Sequence, residues 1–254
     1  EHWWNIHTSA ITGKIIDKYD LILNCSMEHD HSDENIKLNT SVAINMLPAI
    51  NGPGEVELGC VECYEVIKYP LESPLYGDRT IEMISSNLDA SPFGWHDTDG
   101  ILGFEYTVTR DNNVNAFEGG DNYGYQPEGG SSLNFSGFSF NPVVTEENQY
   151  EDASITNLFY WVNIIHDLMN VYGFTEDAGN FQEINYGGQG SGSDSVWAFA
   201  QNDGRECNAS FGTPTDGLSP QMKIDLCGDK DGAFDNTVII HEYAHGISNR
   251  LVGG

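Results

Sequence analysis

Residues 237–247 read Thr-Val-Ile-Ile-His-Glu-Tyr-Ala-His-Gly-Ile, and the rest of the chain is best interpreted outward from them. Asp235 or Asn236 can cap a helix that begins here, because both side chains accept hydrogen bonds from backbone N–H groups. At about 100° per residue, His241 and His245 lie about 40° apart on one helical face. Both imidazoles can therefore reach one tetrahedral metal ion.

Glu242 follows the first histidine, so we expect its carboxylate beside the ion rather than on it. In that position it can take a proton from a water molecule that the metal activates. An apolar stripe adjoins the histidines, and we expect it to be buried while the histidines face a cleft. The stripe consists of Ile240, Ala244, Ile247 and Leu251. A chance His-Glu-x-x-His match is expected only about 0.02 times in such a chain, which disfavours a core helix with two satisfied histidines.

A second helix is predicted from Asp152, as N-cap, to Gly173, as C-terminal stop. Its apolar residues recur every three or four positions: Ile155, Leu158, Phe159, Val162, Ile165, Met169 and Tyr172. His166 and Asp167 lie inside it. We interpret them as a structural pair, with support of a metal ligand as the alternative.

Short strands separated by polar, glycine-rich loops account for most of the remaining chain. Residues 2–23 predict a hairpin or two edge strands, and residues 103–109, 195–200 and 221–226 predict further strands. The sequence therefore predicts an α+β fold that is loop-rich and dominated by β-structure, with a central helix and the motif helix.

The composition excludes several classes of protein. A formal net charge of -29 repels phosphate backbones and anionic membrane surfaces, so nucleic acid and membranes are not expected partners. The chain contains 12 Tyr, 12 Phe and 5 Trp, which supply a core that a disordered polyanion lacks.

Five cysteines leave at least one thiol without a partner inside the chain. Cys207 and Cys227 could close a loop that is worth roughly 3 kcal/mol in the chain-entropy model. Cys60 and Cys63 could form half a zinc site or a redox pair, but a structural disulfide or free thiols is the favoured interpretation.

Residues 229–235 partly match a calcium-binding loop, and calcium is kept as a second candidate cation. The pattern fails at Ala233, however, so an acidic turn is favoured. A different zinc subclass is excluded, because its motif needs Gly at 248 and His at 251, where the chain has Ser248 and Leu251. Since no Asp, Glu, His or Cys follows His245, we expect a third ligand beyond residue 254.

The motif region and five further segments together resemble the fungalysin family of secreted zinc metalloendopeptidases. The matching segments are residues 241–254, 91–96, 156–161, 165–167, 178–182 and 208–211. The resemblance implies the N-terminal lobe of a thermolysin-like zincin. It also implies three regions: residues 1–24 as the end of an inhibitory propeptide, 25–84 as a linker with the maturation site, and 85–254 as the first part of the catalytic domain.

The resemblance assigns His241 and His245 as zinc ligands and Glu242 as the catalytic base and acid. It implies an extracellular endopeptidase that acts on proteins or peptides and is inhibited by its own propeptide. Without a third zinc ligand, we expect this piece alone to be inactive. Asn208 and Ala209 would lie on the edge strand that binds substrate backbone, although Asn208 also begins a glycosylation sequon.

Two alternatives remain open. The chain could be a catalytically inactive, β-rich adhesion or glycan-binding module in which zinc is structural. The other alternative is a calcium-stabilised binding domain, and the support for this interpretation comes only from the acidic loops.

Overall fold

A computed structural model of the protein describes residues 4–8, 15–20, 22–26, 60–83, 89–140, 150–202, 207–228 and 230–252, the first three ranges by backbone alone. Within these ranges the strands are β1 (Trp4–Thr8), β2 (Ile15–Asp20), β3 (Ile22–Ser26), β4 (Cys63–Val66), β5 (Thr80–Met83), β6 (Val114–Glu118), β7 (Asn134–Phe135), β8 (Val196–Asn202), β9 (Asn208–Gly212), β10 (Gln221–Cys227) and β11 (Lys230–Asp231). The α-helices are α1 (Glu151–Val171) and α2 (Asn236–Val252). The mixture confirms the α+β class.

The largest sheet has six strands, in the order β3-β9-β10-β8-β6, with β11 paired to β10 outside that path. β6 and β10 both run parallel to β8, whereas β9 runs antiparallel to β10 and to β3. A parallel pair needs a long crossover, and α1 lies in the crossover from β6 to β8 and packs against both strands. A separate three-stranded sheet has the order β5-β4-β7, and β1 pairs with β2.

Helix α1 is buried over most of its length because apolar residues cover nearly its whole circumference. It begins two residues earlier than an N-cap at Asp152 implies, and that predicted N-cap is wrong. Tyr150 occupies that position, while the Asp152 carboxylate accepts a hydrogen bond from Tyr125 Oη at 2.7 Å. At the other end Gly173 has a φ of 100°, the left-handed conformation that ends many helices.

The strand predicted at 103–109 is wrong as well. In this segment the structure has only an isolated bridge between Val108 and Glu128. The preceding residues are exposed, and the Glu105 carboxylate turns back to accept hydrogen bonds from Thr98. A local side-chain contact of this kind competes with pairing in a sheet.

The three predicted regions remain predictions, since residues 27–59 lie outside the described ranges. Residues 60–83, assigned to the linker, contain β4 and β5, and Tyr64 of β4 is fully buried in the main core. None of the described helices is both long and apolar enough to cross a membrane.

Candidate metal centre

The first turn of α2 is fixed by its cap. Asp235 Oδ1 accepts hydrogen bonds from Thr237 N at 3.0 Å and from Val238 N at 3.3 Å. A carboxylate in this position satisfies backbone donors that have no partner within the helix, and its negative charge is favourable at the helix N-terminus. The helix therefore begins directly after Asp235, where the sequence pattern predicted it.

Asn236 joins this helix start to two neighbouring segments. Its Nδ2 donates to the carbonyl oxygens of Ile67 and Leu71, both at 2.8 Å. Its Oδ1 accepts from Asn157 Nδ2 of α1 at 3.1 Å. Both amide side chains are buried, so these bonds are costly to break. The central helix thereby fixes where the motif helix begins.

The buried face of α2 differs from the predicted one. The buried face carries Ile239, Glu242, Tyr243 and Gly246. Of the predicted stripe, Ile240, Ala244 and Leu251 are exposed and Ile247 is only half-buried. The prediction of a buried stripe is therefore wrong, because the helix has apolar residues on two faces and the other face packs against the core.

A close approach between α2 and β9 selects that face. The Phe211 ring lies so near to Gly246 that a Cβ atom there would overlap it. Tyr243 packs beside it, with ring centroids 6.1 Å from Phe211 and 5.7 Å from Phe181. Only glycine admits this approach of helix backbone to an aromatic ring.

With that face buried, the two motif histidines lie on the outer side of the helix, one exposed and one half-buried. The Nε2 atoms of His241 and His245 are 2.9 Å apart. Ligand atoms of His241, Glu242 and His245 all lie within 4.8 Å of one another. The Glu242 side chain is on the inner side and is 0% exposed.

This arrangement fits a zinc ion. In a tetrahedral shell with Zn–N bonds of about 2.0–2.1 Å, two ligand nitrogens lie about 3.3 Å apart. The observed separation of 2.9 Å therefore needs only a small opening of the rings. Partial burial and the neighbouring His241 lower the pKa of His245, which favours the neutral imidazole that binds metals.

Arg250 anchors the last turn of α2. Its Nη1 donates to Asp194 Oδ2 and Asp216 Oδ1, both at 2.9 Å, and to the Gly179 carbonyl at 3.1 Å. Burial raises the pKa of Asp194 to about 6, and the hydrogen bonds from backbone groups and Arg250 only partly offset that effect. Both ends of the motif helix are thus held by side-chain hydrogen bonds to other segments of the chain.

Asn208 and Ala209 lie on β9, which packs beside α2. Ala209 pairs with Ile224 of β10 on one side and with Cys25 of β3 on the other. The side of β9 that was expected to be an open edge is therefore covered by an earlier segment of the same chain. Sequence reasoning missed this pairing, because it joins residues far apart in the chain.

Disulfides close two of the loops. Cys207 is bonded to Cys227, which joins the start of β9 to the end of β10, and Cys60 is bonded to Cys63. In the partly calcium-like segment, Asp231 instead accepts hydrogen bonds from Ala233 N and from Gln201 Nε2. Asp229, the first residue of that segment, lies outside the described residues.

His166 and Asp167 form a buried network on α1. His166 Nδ1 lies 3.1 Å from Asp167 Oδ1, and its Nε2 lies 3.4 Å from Asn180 Nδ2. Asp167 also accepts from Ser91 Oγ at 3.0 Å and from Trp95 Nε1 at 2.9 Å. These hydrogen bonds join the pair to the segments packed around α1, as is typical of a structural pair.

The comparisons with known proteins agree with this geometry. The family model described as Fungalysin metallopeptidase (M36) matches residues 63–254. "Probable extracellular metalloproteinase 5" of Arthroderma benhamiae and "Extracellular metalloproteinase 5" of Trichophyton rubrum are each 42% identical to the chain over 200 residues. "Extracellular metalloproteinase MEP" of Fusarium vanettenii is 41% identical.

Each of these alignments covers 75% of this chain and 31% of the relative, so the chain spans about a third of the length of the curated relatives that it matches. The match to the family model covers the central helix, the six-stranded sheet from β6 onward and the whole motif helix. The chain therefore belongs to the fungalysin metallopeptidase family.

Proposed function

We propose that this chain forms part of a secreted, zinc-dependent endopeptidase that hydrolyses internal peptide bonds of proteins. One observation carries the proposal: two histidine nitrogens 2.9 Å apart on the outer face of a helix, with the Glu242 carboxylate beside them. Secretion is supported by the names of the relatives and by the disulfides, which persist in oxidising compartments.

In the proposed reaction, zinc held by His241 and His245 would activate a water molecule and polarise the scissile carbonyl. Glu242 accepts the proton of the attacking water and delivers it to the leaving amine. Because the Glu242 side chain is 0% exposed, bulk water competes little for that proton. The ion would need a third protein ligand, and the resemblance to the family implies a glutamate in that role.

The substrate backbone is proposed to bind along β9, by adding a strand beside Asn208 and Ala209. β3 pairs with this same side of β9, with Ser26 opposite Asn208 and Cys25 opposite Ala209. A strand in that place blocks the addition of another. We therefore propose that the segment containing β3 acts as the inhibitor of the uncleaved protein.

The central test uses the longer protein after removal of the propeptide, with metal analysis and casein hydrolysis. The wild type should contain one zinc ion and hydrolyse casein, and Glu242→Gln should keep the zinc and lose at least about 10²-fold in rate. Glu72→Gln, an exposed glutamate, serves as the matched control and should retain full activity. An inactive wild type with bound zinc would favour the adhesion module, and an active Glu242→Gln would refute the proposed base.

The inhibitory strand is tested in the uncleaved protein. Leu23→Pro removes a backbone N–H from β3 and should raise casein hydrolysis, because the strand can no longer pair fully with β9. Leu23→Ala keeps that N–H and is the matched control, which should remain as inhibited as the wild type. Equal activity in the proline variant and the wild type would contradict inhibition by this strand.

A further inference from the structure

Residues 97–105, the segment in which a strand was expected, bring three acidic side chains together. One carboxylate oxygen from each of Asp97, Asp99 and Glu105 lies within 4.8 Å of the others. Asp97 is fully buried, whereas Asp99 and Glu105 are exposed. This cluster takes no part in the metal centre formed by the motif helix.

Local hydrogen bonds hold each carboxylate in place through one of its two oxygens. Asp97 Oδ1 accepts from Gly100 N and from Tyr186 Oη, both at 2.8 Å. Asp99 Oδ1 accepts from Ile101 N at 2.8 Å. As described above, Thr98 donates to one oxygen of Glu105. Each carboxylate is thus oriented by one oxygen, and no donor among the described residues bonds its second oxygen.

The second oxygen of Asp97 is the decisive atom. Asp97 is 0% exposed, and its Oδ2 has no hydrogen-bond partner among the described residues. Nor does any described Lys or Arg form an ion pair with Asp97, Asp99 or Glu105. A buried carboxylate oxygen without a donor costs about 1–3 kcal/mol or more, and two further carboxylates nearby add repulsion. A bound cation would offset both costs at once.

We propose that Asp97, Asp99 and Glu105 bind a calcium ion. Calcium prefers carboxylate and water oxygens at about 2.3–2.6 Å, so oxygens separated by up to 4.8 Å fit on one ion. The two exposed side chains leave room for the water ligands that complete its shell. Zinc is disfavoured, since the adjacent imidazole, His96, bonds to Tyr64 Oη in the core.

Calcium binding links two segments through Asp97. Tyr186 Oη donates to both the carboxylate and the backbone carbonyl of Asp97. Burial and the Asp97 carboxylate raise the pKa of Tyr186, which keeps the phenol protonated as a donor. The ion therefore stabilises the 97–105 loop against the loop that carries Tyr186, and neither loop belongs to the motif helix.

The test measures calcium binding to the zinc-saturated protein by calorimetry and by terbium luminescence. Tb³⁺ replaces calcium as a hard cation, and Tyr186 lies close enough to sensitise its emission. We expect saturable calcium binding with a dissociation constant at or below about 10⁻³ M, binding of magnesium at least about tenfold weaker, and a rise in Tm with calcium.

Asp99→Asn and Glu105→Gln should each weaken calcium binding at least about tenfold, the change expected when a charged ligand is lost. Both residues are exposed, so these variants keep the test valid even if Asp97→Asn fails to fold. Asp121→Asn, an exposed aspartate elsewhere, is the matched control and should bind calcium like the wild type.

Three results would overturn the proposal: no saturable binding of calcium or terbium, binding that survives Asp99→Asn and Glu105→Gln together, or terbium that excess zinc displaces. The first would assign Asp97 Oδ2 to a water molecule, and the third would place terbium at the histidine site. Zinc content and casein hydrolysis are measured separately, so failure here leaves the proposed peptidase function standing.

Discussion

Helices α1 and α2 both contain a histidine followed directly by an acidic residue, yet the two pairs have opposite surroundings. His166 and Asp167 of α1 are buried, and their polar atoms contact Asn180, Ser91 and Trp95. In α2 the histidine is on the outer face and the carboxylate on the inner face. His241 Nε2 lies 2.9 Å from His245 Nε2 of the same motif.

The surroundings of the two pairs show which feature separates a structural pair from a chemical one. In α1 the protein supplies the partners on several sides, so the pair links the helix to the loops around it. In α2 two ring nitrogens converge on one point at the surface, an arrangement that an ion can join. Each helix has a histidine followed by a carboxylate, and in the sequence the second histidine of α2, four residues after the first, distinguishes the two helices.

The largest expected effect is a loss of zinc binding, and it should distinguish His241 from His166. His241→Ala should weaken zinc binding by more than the roughly 10–100-fold that loss of an outer-shell partner causes, and leave the free energy of unfolding of the metal-free protein within about 0.5 kcal/mol. His166→Ala should leave zinc binding nearly unchanged and lower the free energy of unfolding of the metal-free protein. A competing chelator measures the first quantity and urea unfolding the second. Similar losses of stability in both variants would show that the two histidines do not differ in role.

Removal of the α1 carboxylate should have the next largest effect. Asp167→Ala leaves Ser91 Oγ and Trp95 Nε1 without their acceptor in the core, which should cost about 2–4 kcal/mol in the free energy of unfolding. Asp167→Asn retains one acceptor oxygen and should cost less. Urea unfolding gives both values. A drop in zinc affinity without a loss of stability would instead assign Asp167 to the metal centre.

The sequence was sufficient for the elements with strong local patterns. The apolar period predicted α1 and α2, and β8 and β10 lie where runs of apolar and β-branched residues predicted strands. The prediction of the buried face of α2 was wrong, because two faces are apolar and only the position of the Phe211 ring decides between them. That contact is tertiary and leaves no periodic signal.

Two other features also depend on contacts that no local pattern encodes. The pairing of β3 with β9 joins residues 22–26 to residues 208–212, and a strand pattern specifies no partner at that distance. The segment 103–109 has the residue types of a strand, but the contact of Glu105 with Thr98 forms a loop instead. The candidate zinc ligands were accessible to sequence reasoning, because their spacing is local.

Gly246 tests the packing that turns the α2 histidines outward. Gly246→Ala places a Cβ against the Phe211 ring and should destabilise the protein by about 1–3 kcal/mol, which exceeds the helix-propensity gain of at most about 1 kcal/mol. Ser248→Ala, on an exposed position of the same helix, is the control and should be nearly neutral. A more stable Gly246→Ala variant would show that the ring yields easily.

The smallest expected effect concerns a carboxyl group in the network around α1. Asp111 accepts hydrogen bonds from Asn113 N and Val114 N, both at 2.8 Å, and from Asn163 Nδ2 at 2.6 Å. Burial nevertheless raises its pKa from 3.8 to about 8, and the charge of Asp167 adds to the rise. The folded protein therefore holds a proton on Asp111 more tightly than the unfolded chain does.

A raised pKa fixes the sign of the pH dependence. The stabilising contribution of Asp111 is complete below the unfolded pKa of 3.8 and is lost as the pH rises through about 8. Asp111→Asn cannot ionise, so between pH 7 and pH 8 the wild type should lose about 1 kcal/mol more stability than the variant. Urea unfolding at both pH values measures this difference, and the other titrating groups cancel because both proteins share them. Equal losses would mean that Asp111 is already ionised at neutral pH, and that the α1 network stabilises a charge as well as hydrogen bonds.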